Sequence, residues 1–113
     1  MRKVSKITAE SFKSARPIKV GNSMVRVVDG GDALYYLHGN RIASMFEGKL
    51  NLSDCGWKTS TTKERLNAIL EAMRLPYCIY QKSFNWFVRN VITNEVIQFN
   101  GGMTFDVATK TVV

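Results

Sequence analysis

Thr61-Thr62-Lys63-Glu64-Arg65-Leu66-Asn67-Ala68-Ile69-Leu70-Glu71-Ala72-Met73-Arg74 is the stretch on which the fold turns. Thr61 and Glu64, three residues apart, form the pattern of a capping box, in which hydroxyl and carboxylate each satisfy a free N–H of a helix start. Leu66, Ile69, Leu70 and Met73 follow at i, i+3, i+4 and i+7, one apolar stripe of a helix, and Pro76 ends it. The spacing predicts a helix over about 62–74 with its stripe laid on a sheet.

On either side the pattern changes to short apolar runs cut by turn residues. Gly21-Asn22 separates Ile18–Val20 from Ser23–Val28, and Asp29-Gly30-Gly31-Asp32 separates that run from Ala33–Leu37. His38-Gly39-Asn40 leads into Arg41–Phe46, and Glu47-Gly48 into Lys49–Leu52. Two-residue hairpin loops need positive φ, which Gly and Asn adopt at little cost, so these runs predict an antiparallel meander of four or five strands. Ser53–Lys58 reads as a linker. Beyond the helix, Tyr77–Gln81 and Trp86–Arg89 flank Lys82-Ser83-Phe84-Asn85, and Glu95–Phe99 and Met103–Val107 flank Asn100-Gly101-Gly102, two further hairpin signals. The expected class is therefore α+β: antiparallel hairpins, one central amphipathic helix packed on the sheet, and more hairpins after it.

The 113 residues suit a single domain, which we place over 17–113. Residues 1–16 carry Arg2, Lys3, Lys6, Lys13 and Arg16 against Glu10, with little periodicity. They read as a basic, partly ordered N-terminal arm. Sixteen Lys+Arg against nine Asp+Glu give a net charge of +7, a field that attracts nucleic acid, anionic membranes or acidic proteins. There is no apolar N-terminal segment of the secretory kind and no run approaching the ~20 residues of a membrane span. Cys55 and Cys78 are therefore expected as reduced thiols in a cytoplasmic protein with no membrane partner.

No catalytic or metal constellation is expected. A phosphate-binding loop of the G-x-x-x-x-G-K-[ST] type is absent. His38, the single histidine, sits in a turn, and it forms no ligand spacing with Cys55 and Cys78. A nucleophilic Cys55 would lack a base. We expect no cofactor and no enzyme activity. Two groups could bind anions. Lys58, Thr59 and Lys63 stand at the helix start, where free N–H groups and the dipole favour phosphate; the competing role of this segment is capping alone. Trp86 stands among Tyr80, Phe84 and Phe87 with Lys82 and Arg89 interleaved, a pattern able to stack bases and hold a single-stranded backbone, although alternation must bury one face of it. The helix itself, with Glu64 and Glu71 outward, suits no DNA groove.

Leu37-His38-Gly39-Asn40-Arg41-Ile42-Ala43, followed by Cys55-Gly56-Trp57-Lys58-Thr59-Ser60-Thr61-Thr62-Lys63-Glu64-Arg65-Leu66-Asn67-Ala68-Ile69-Leu70, resembles small proteins encoded by tailed bacteriophages. Tyr80-Gln81-Lys82-Ser83-Phe84-Asn85-Trp86 and Phe99-Asn100-Gly101-Gly102-Met103-Thr104-Phe105 fit the same pattern, so the resemblance spans about residues 34–106. It implies a phage accessory protein in an infected bacterial cytoplasm and lends no site residues. Two functions follow as expectations: electrostatic binding of nucleic acid, or docking on a host protein as an inhibitor. The sequence leaves the oligomeric state open.

Overall fold

The computed structural model describes residues 2–113. Helix α1 (Lys3–Lys13) precedes a five-strand meander of β1 (Ile18–Val20), β2 (Ser23–Val27), β3 (Ala33–Leu37), β4 (Asn40–Phe46) and β5 (Lys49–Ser53). Helix α2 (Ser60–Ala72) follows, then β6 (Tyr77–Lys82), β7 (Asn85–Asn90), β8 (Val96–Gln98), β9 (Gly102–Asp106) and β10 (Thr111–Val112). The strands form two antiparallel sheets, a large one ordered β1-β2-β3-β4-β5-β9-β10 and a small one ordered β6-β7-β8. The α+β class and the helix on the sheet are as the sequence predicts.

Three expectations are corrected. The 1–16 segment is not an arm: Lys3–Lys13 is helical, and Met1 lies outside the described residues. Its buried stripe is Ser5, Thr8, Ala9 and Phe12, at i, i+3, i+4 and i+7. The spacing is helical, but two of the four positions are hydroxyls, so no apolar period marks it. Burial is tolerated because the hydroxyls are bonded: Thr8 Oγ1 donates to the Val4 carbonyl at 2.7 Å and meets Tyr35 Oη at 2.7 Å. Phe12 meets the Tyr35 ring edge-on, centroids 6.1 Å apart.

Second, α2 begins two residues earlier than expected, and its cap is Thr59, whose side chain accepts from the Thr62 N–H at 3.1 Å. Glu64 is not the reciprocal half of a capping box. It accepts from Ser5 Oγ and from Arg65 Nη1 (2.9 Å), and pairs with Arg2 at 3.7 Å. Arg65, buried, also bonds Ser5 Oγ, and its Nε donates to Ser23 Oγ at 3.1 Å. One guanidinium thus ties α1, α2 and β2 together. The helices run parallel, Ser5 beside Glu64 and Arg65, and Ala9 beside Ala68. Small residues at this contact let the backbones approach closely. Ala68, read from the sequence as outward, is buried for this reason.

Third, Asn100-Gly101-Gly102 does not close a hairpin. β8 pairs with β7, whereas β9 pairs with β5. The segment carries the chain from the small sheet to the large one, held by Phe99 N–H to the Trp86 carbonyl and Asp54 N–H to the Gly101 carbonyl, both 2.9 Å. A Cβ at Gly102 would stand 3.1 Å from the Leu52 carbonyl oxygen, so glycine is needed there for close approach and not for a tight turn.

The core lies between the inner face of the large sheet (Val25, Tyr35, Leu37, Leu50, Leu52, Phe105) and α1, α2 and the small sheet. A bulge at β3–β4 leaves Ile42 without a cross-strand partner and buries both Ile42 and Ala43. The small sheet is joined to α2 by Asn67, whose amide donates to the Ile79 carbonyl (2.9 Å) and accepts from the Ile79 N–H (2.8 Å). A side chain thereby caps the free edge of β6 as a neighbouring strand would.

Two predictions follow from these contacts. Replacing Asn67 by Leu keeps the volume but strips both partners from Ile79, and should cost about 1–3 kcal/mol in urea unfolding; an unchanged midpoint would show the clamp to be idle. Glu64 is held below the usual carboxylate range by the Ser5 hydroxyl and then by Arg2 and Arg65, and Asp106 is held at about 2 by the Thr109 N–H and Lys49. Both folded-state values are depressed, so their stabilisation is complete above the unfolded carboxylate range and is lost as pH falls through the folded values. The urea midpoint should fall between about pH 5 and pH 2, with a shallower fall in Glu64→Gln; an identical fall in that variant would remove Glu64 from the account.

Candidate functional site

Neither anion-binding group expected from the sequence is assembled as such. Asp54, buried, organises the loop before α2: its carboxylate accepts from the Gly56 N–H at 2.7 Å and pairs with Lys58, while its carbonyl accepts from the Trp57 N–H at 2.8 Å. Lys58 Nζ also lies 5.5 Å from the centre of the Trp86 ring, so a carboxylate and a π face already engage this charge. Thr59 is spent on the cap. Lys63 is half-buried on the first turn of α2.

Trp86 is 1% exposed and packs on Phe99, with centroids 6.0 Å apart. It offers no surface to stack a base. The register explains why. Val88 pairs with Ile79, and Trp86 shares their inward face, so the outward face of β6–β7 carries Lys82, Tyr80 and Cys78 opposite Asn85, Phe87 and Arg89. Tyr80 and Phe87 are stacked, centroids 5.7 Å apart, between exposed Lys82 and Arg89. The ring-and-cation pattern therefore exists on this small sheet, with Tyr80 and Phe87 in place of Trp86.

A larger surface of the same kind was not found by reading the sequence. Lys19 pairs with Met24, Met24 with Tyr36, and Tyr36 with Arg41, one row crossing β1 to β4. Directly paired residues project from the same side of a sheet, so all four share a face. Val25, Tyr35 and Leu37 alternate with them and fill the core, which places the row on the face turned away from the helices. The neighbouring row runs Arg26, Leu34, Ser44, Asn51, Thr104 across β2, β3, β4, β5 and β9. Lys19, Arg26 and Arg41 are exposed, and among the described residues none of them is in a salt bridge. Lys49, on the same face, is paired with Asp106 at 2.9 Å. The row spans roughly 14 Å, three strand spacings, a width that suits a chain of phosphates running across the strands. Alternation in Ser23-Met24-Val25-Arg26 and Leu34-Tyr35-Tyr36, with register fixed by the Gly21-Asn22 and His38-Gly39 turns, is the signal that would have found it.

A groove of about 450 Å³ opens at the start of α2, lined by Leu37, His38, Ile42, Asp54, Trp57 and Thr61. Residues of the two strings that carry the phage resemblance meet there. Much of the second string has a structural task elsewhere: Thr62 fills the capped first turn, Arg65 joins three elements, Leu66 lies in the core and Asn67 clamps β6. His38 and Cys55 do not form a catalytic pair. His38 occupies a left-handed turn position, and the Cys55 thiol donates to the Arg41 carbonyl at 2.9 Å. Among the described residues no cluster of His, Cys, Asp or Glu could hold a metal ion, and no helix is long and apolar enough to cross a membrane.

No curated protein and no solved structure matches the chain. A family model described as Kyanoviridae Gp96 protein matches residues 1–106, from α1 through the end of β9. That match extends N-terminally beyond the resemblance read from the sequence, and takes in the helix that the sequence pattern hid. With nearly the whole fold inside the match, the chain belongs to the Kyanoviridae Gp96 protein family, and it is a bacteriophage protein.

Proposed function

We propose that this phage protein binds nucleic acid, in single-stranded form, across the open face of its large sheet. The observation that carries this reading is the Lys19–Met24–Tyr36–Arg41 row with Arg26 beside it: three cations free of carboxylates around an aromatic ring, on a face no helix covers. Strands set the spacing of these groups, so the cations are held apart at fixed intervals and lose little freedom on binding. Lys19, Arg26 and Arg41 contact phosphates, and Tyr36 offers a face on which a base stacks. Met24 and Leu34 supply apolar contact around the ring. The Tyr80–Phe87 stack between Lys82 and Arg89 extends the same chemistry to the small sheet.

Three phosphate contacts to a single strand give a slope of about −2 in log affinity against log salt, or about a twenty-fold loss between about 50 and 200 mM. Fluorescence anisotropy with labelled single-stranded DNA and RNA reads this directly. Arg41→Gln should reduce the slope by about 0.7, and Tyr36→Ala should cost about 1–3 kcal/mol with the slope retained. Equal affinity at both salts, or an unchanged slope in Arg41→Gln, would refute the assignment.

A second reading rests on a different residue. Phe84, at the tip of the β6–β7 hairpin, is 89% exposed and holds φ 66, as Ser83 holds φ 51. A bulky side chain in this backbone region is disfavoured, and a host protein surface is what such a ring would engage. A pull-down from nuclease-treated host lysate should retain one stoichiometric protein that Phe84→Gly releases. If Phe84→Gly retains that protein, or none is captured at all, the docking reading fails.

A further inference from the structure

Every sheet edge in this fold is blunted or covered except one. β1 follows Pro17 and carries Lys19. β10 is two residues long and follows Lys110. The free edge of β6 is occupied by the Asn67 amide. These are recognised ways of preventing strands from pairing with another chain. β8, the outer strand of the small sheet, has no such protection beyond being three residues long. Val96, Ile97 and Gln98 are uncharged and exposed, Val96 at 49% and Ile97 at 41%.

The hydrogen-bond phase of β8 is fixed by its flanks. Phe99 donates to the Trp86 carbonyl and Asn90 donates to the Glu95 carbonyl, so Ile97, paired with Val88 between them, spends its own backbone groups on β7. The N–H and C=O of Val96 and Gln98 therefore point outward, and among the described residues nothing bonds them. Charge selects the same edge. In a chain of net charge +7, residues 90–99 contain Glu95 and no Lys or Arg, so two copies repel one another least there.

We infer that β8 is a self-association edge and that its occupant is a second copy of this chain. The copies pair antiparallel about a two-fold axis through Ile97. Val96 exchanges both backbone bonds with Gln98 of the other copy, and Gln98 does so with its Val96, giving four bonds. The two Ile97 side chains meet as the non-hydrogen-bonded pair on the axis, where cross-strand side chains stand closest. The result is a continuous six-stranded sheet carrying two Tyr80–Phe87 stacks on one face. The pairing does not depend on what the ring faces bind. With three residues per strand the contact is small, and its dissociation constant falls on the order of 10–100 μM.

Sedimentation equilibrium of the full chain, without nucleic acid, tests the edge. The mass should rise with loading concentration from 12.8 kDa towards twice that value, and Ile97→Lys, at an exposed position, should hold it at the monomer. Under mild oxidation Ile97→Cys should form an intermolecular disulfide that the wild type lacks, whereas Val96→Cys, which faces Gln98 of the other copy, should not. A mass that stays at the monomer up to millimolar concentration, a dimer that Ile97→Lys leaves intact, or equal crosslinking of Val96→Cys and Ile97→Cys would each overturn the proposal.

Discussion

The guanidinium of Arg65 is the contact on which the arrangement of layers depends. It is buried, and it bonds Ser5 of α1, Glu64 of its own helix and Ser23 of β2. A buried charge is tolerated only where its donors and its counter-charge are satisfied, and here both come from elements that must be docked for the partners to be present. Removing any one of them would leave the ion uncompensated, so the network acts less as a source of stability than as a condition on which way the helices lie. With α1 and α2 locked parallel on one side of the large sheet, its other side is left to solvent, and the alternation of β2 and β3 turns Met24, Arg26, Leu34 and Tyr36 towards it.

The same constraint explains where the positive charge goes. Arg65 and Lys58 are each neutralised locally, by Glu64 and Asp54. Lys49 is held by Asp106. Lys19, Arg26 and Arg41 have no such partner among the described residues and stand on the open face. Net charge describes attraction over a distance; only the strand register turns it into a surface with spacing. The small sheet adds a second, separate ring-and-cation face, and its edge strand is the one left unguarded.

Much of the architecture was legible from sequence because it is written in aliphatic periodicity and turn residues. Leu66, Ile69, Leu70 and Met73 mark α2, and Gly21-Asn22, His38-Gly39 and Glu47-Gly48 mark the meander. Helix α1 escaped because Ser5 and Thr8 occupy half of its buried stripe, and hydroxyls satisfied inside the fold look the same in sequence as hydroxyls facing water. Asn100-Gly101-Gly102 misled because glycine serves a sheet crossover as well as a hairpin. For Trp86 and Phe87, adjacent in sequence, alternation says that one is inside and cannot say which; the pairing of Val88 with Ile79 decides it. The open face was hidden for a different reason. Lys19, Met24, Tyr36 and Arg41 are scattered over 23 positions and become neighbours only through three registers.

The most direct test of the account is to map a short single-stranded oligonucleotide onto the folded protein by amide and side-chain chemical shifts at low salt. Binding on the open face predicts perturbations at Lys19, Met24, Arg26, Tyr36 and Arg41, with α1 and α2 unchanged and the shifts reversed as salt is added. Perturbations confined to the start of α2 or to the small sheet, or none at all, would contradict it.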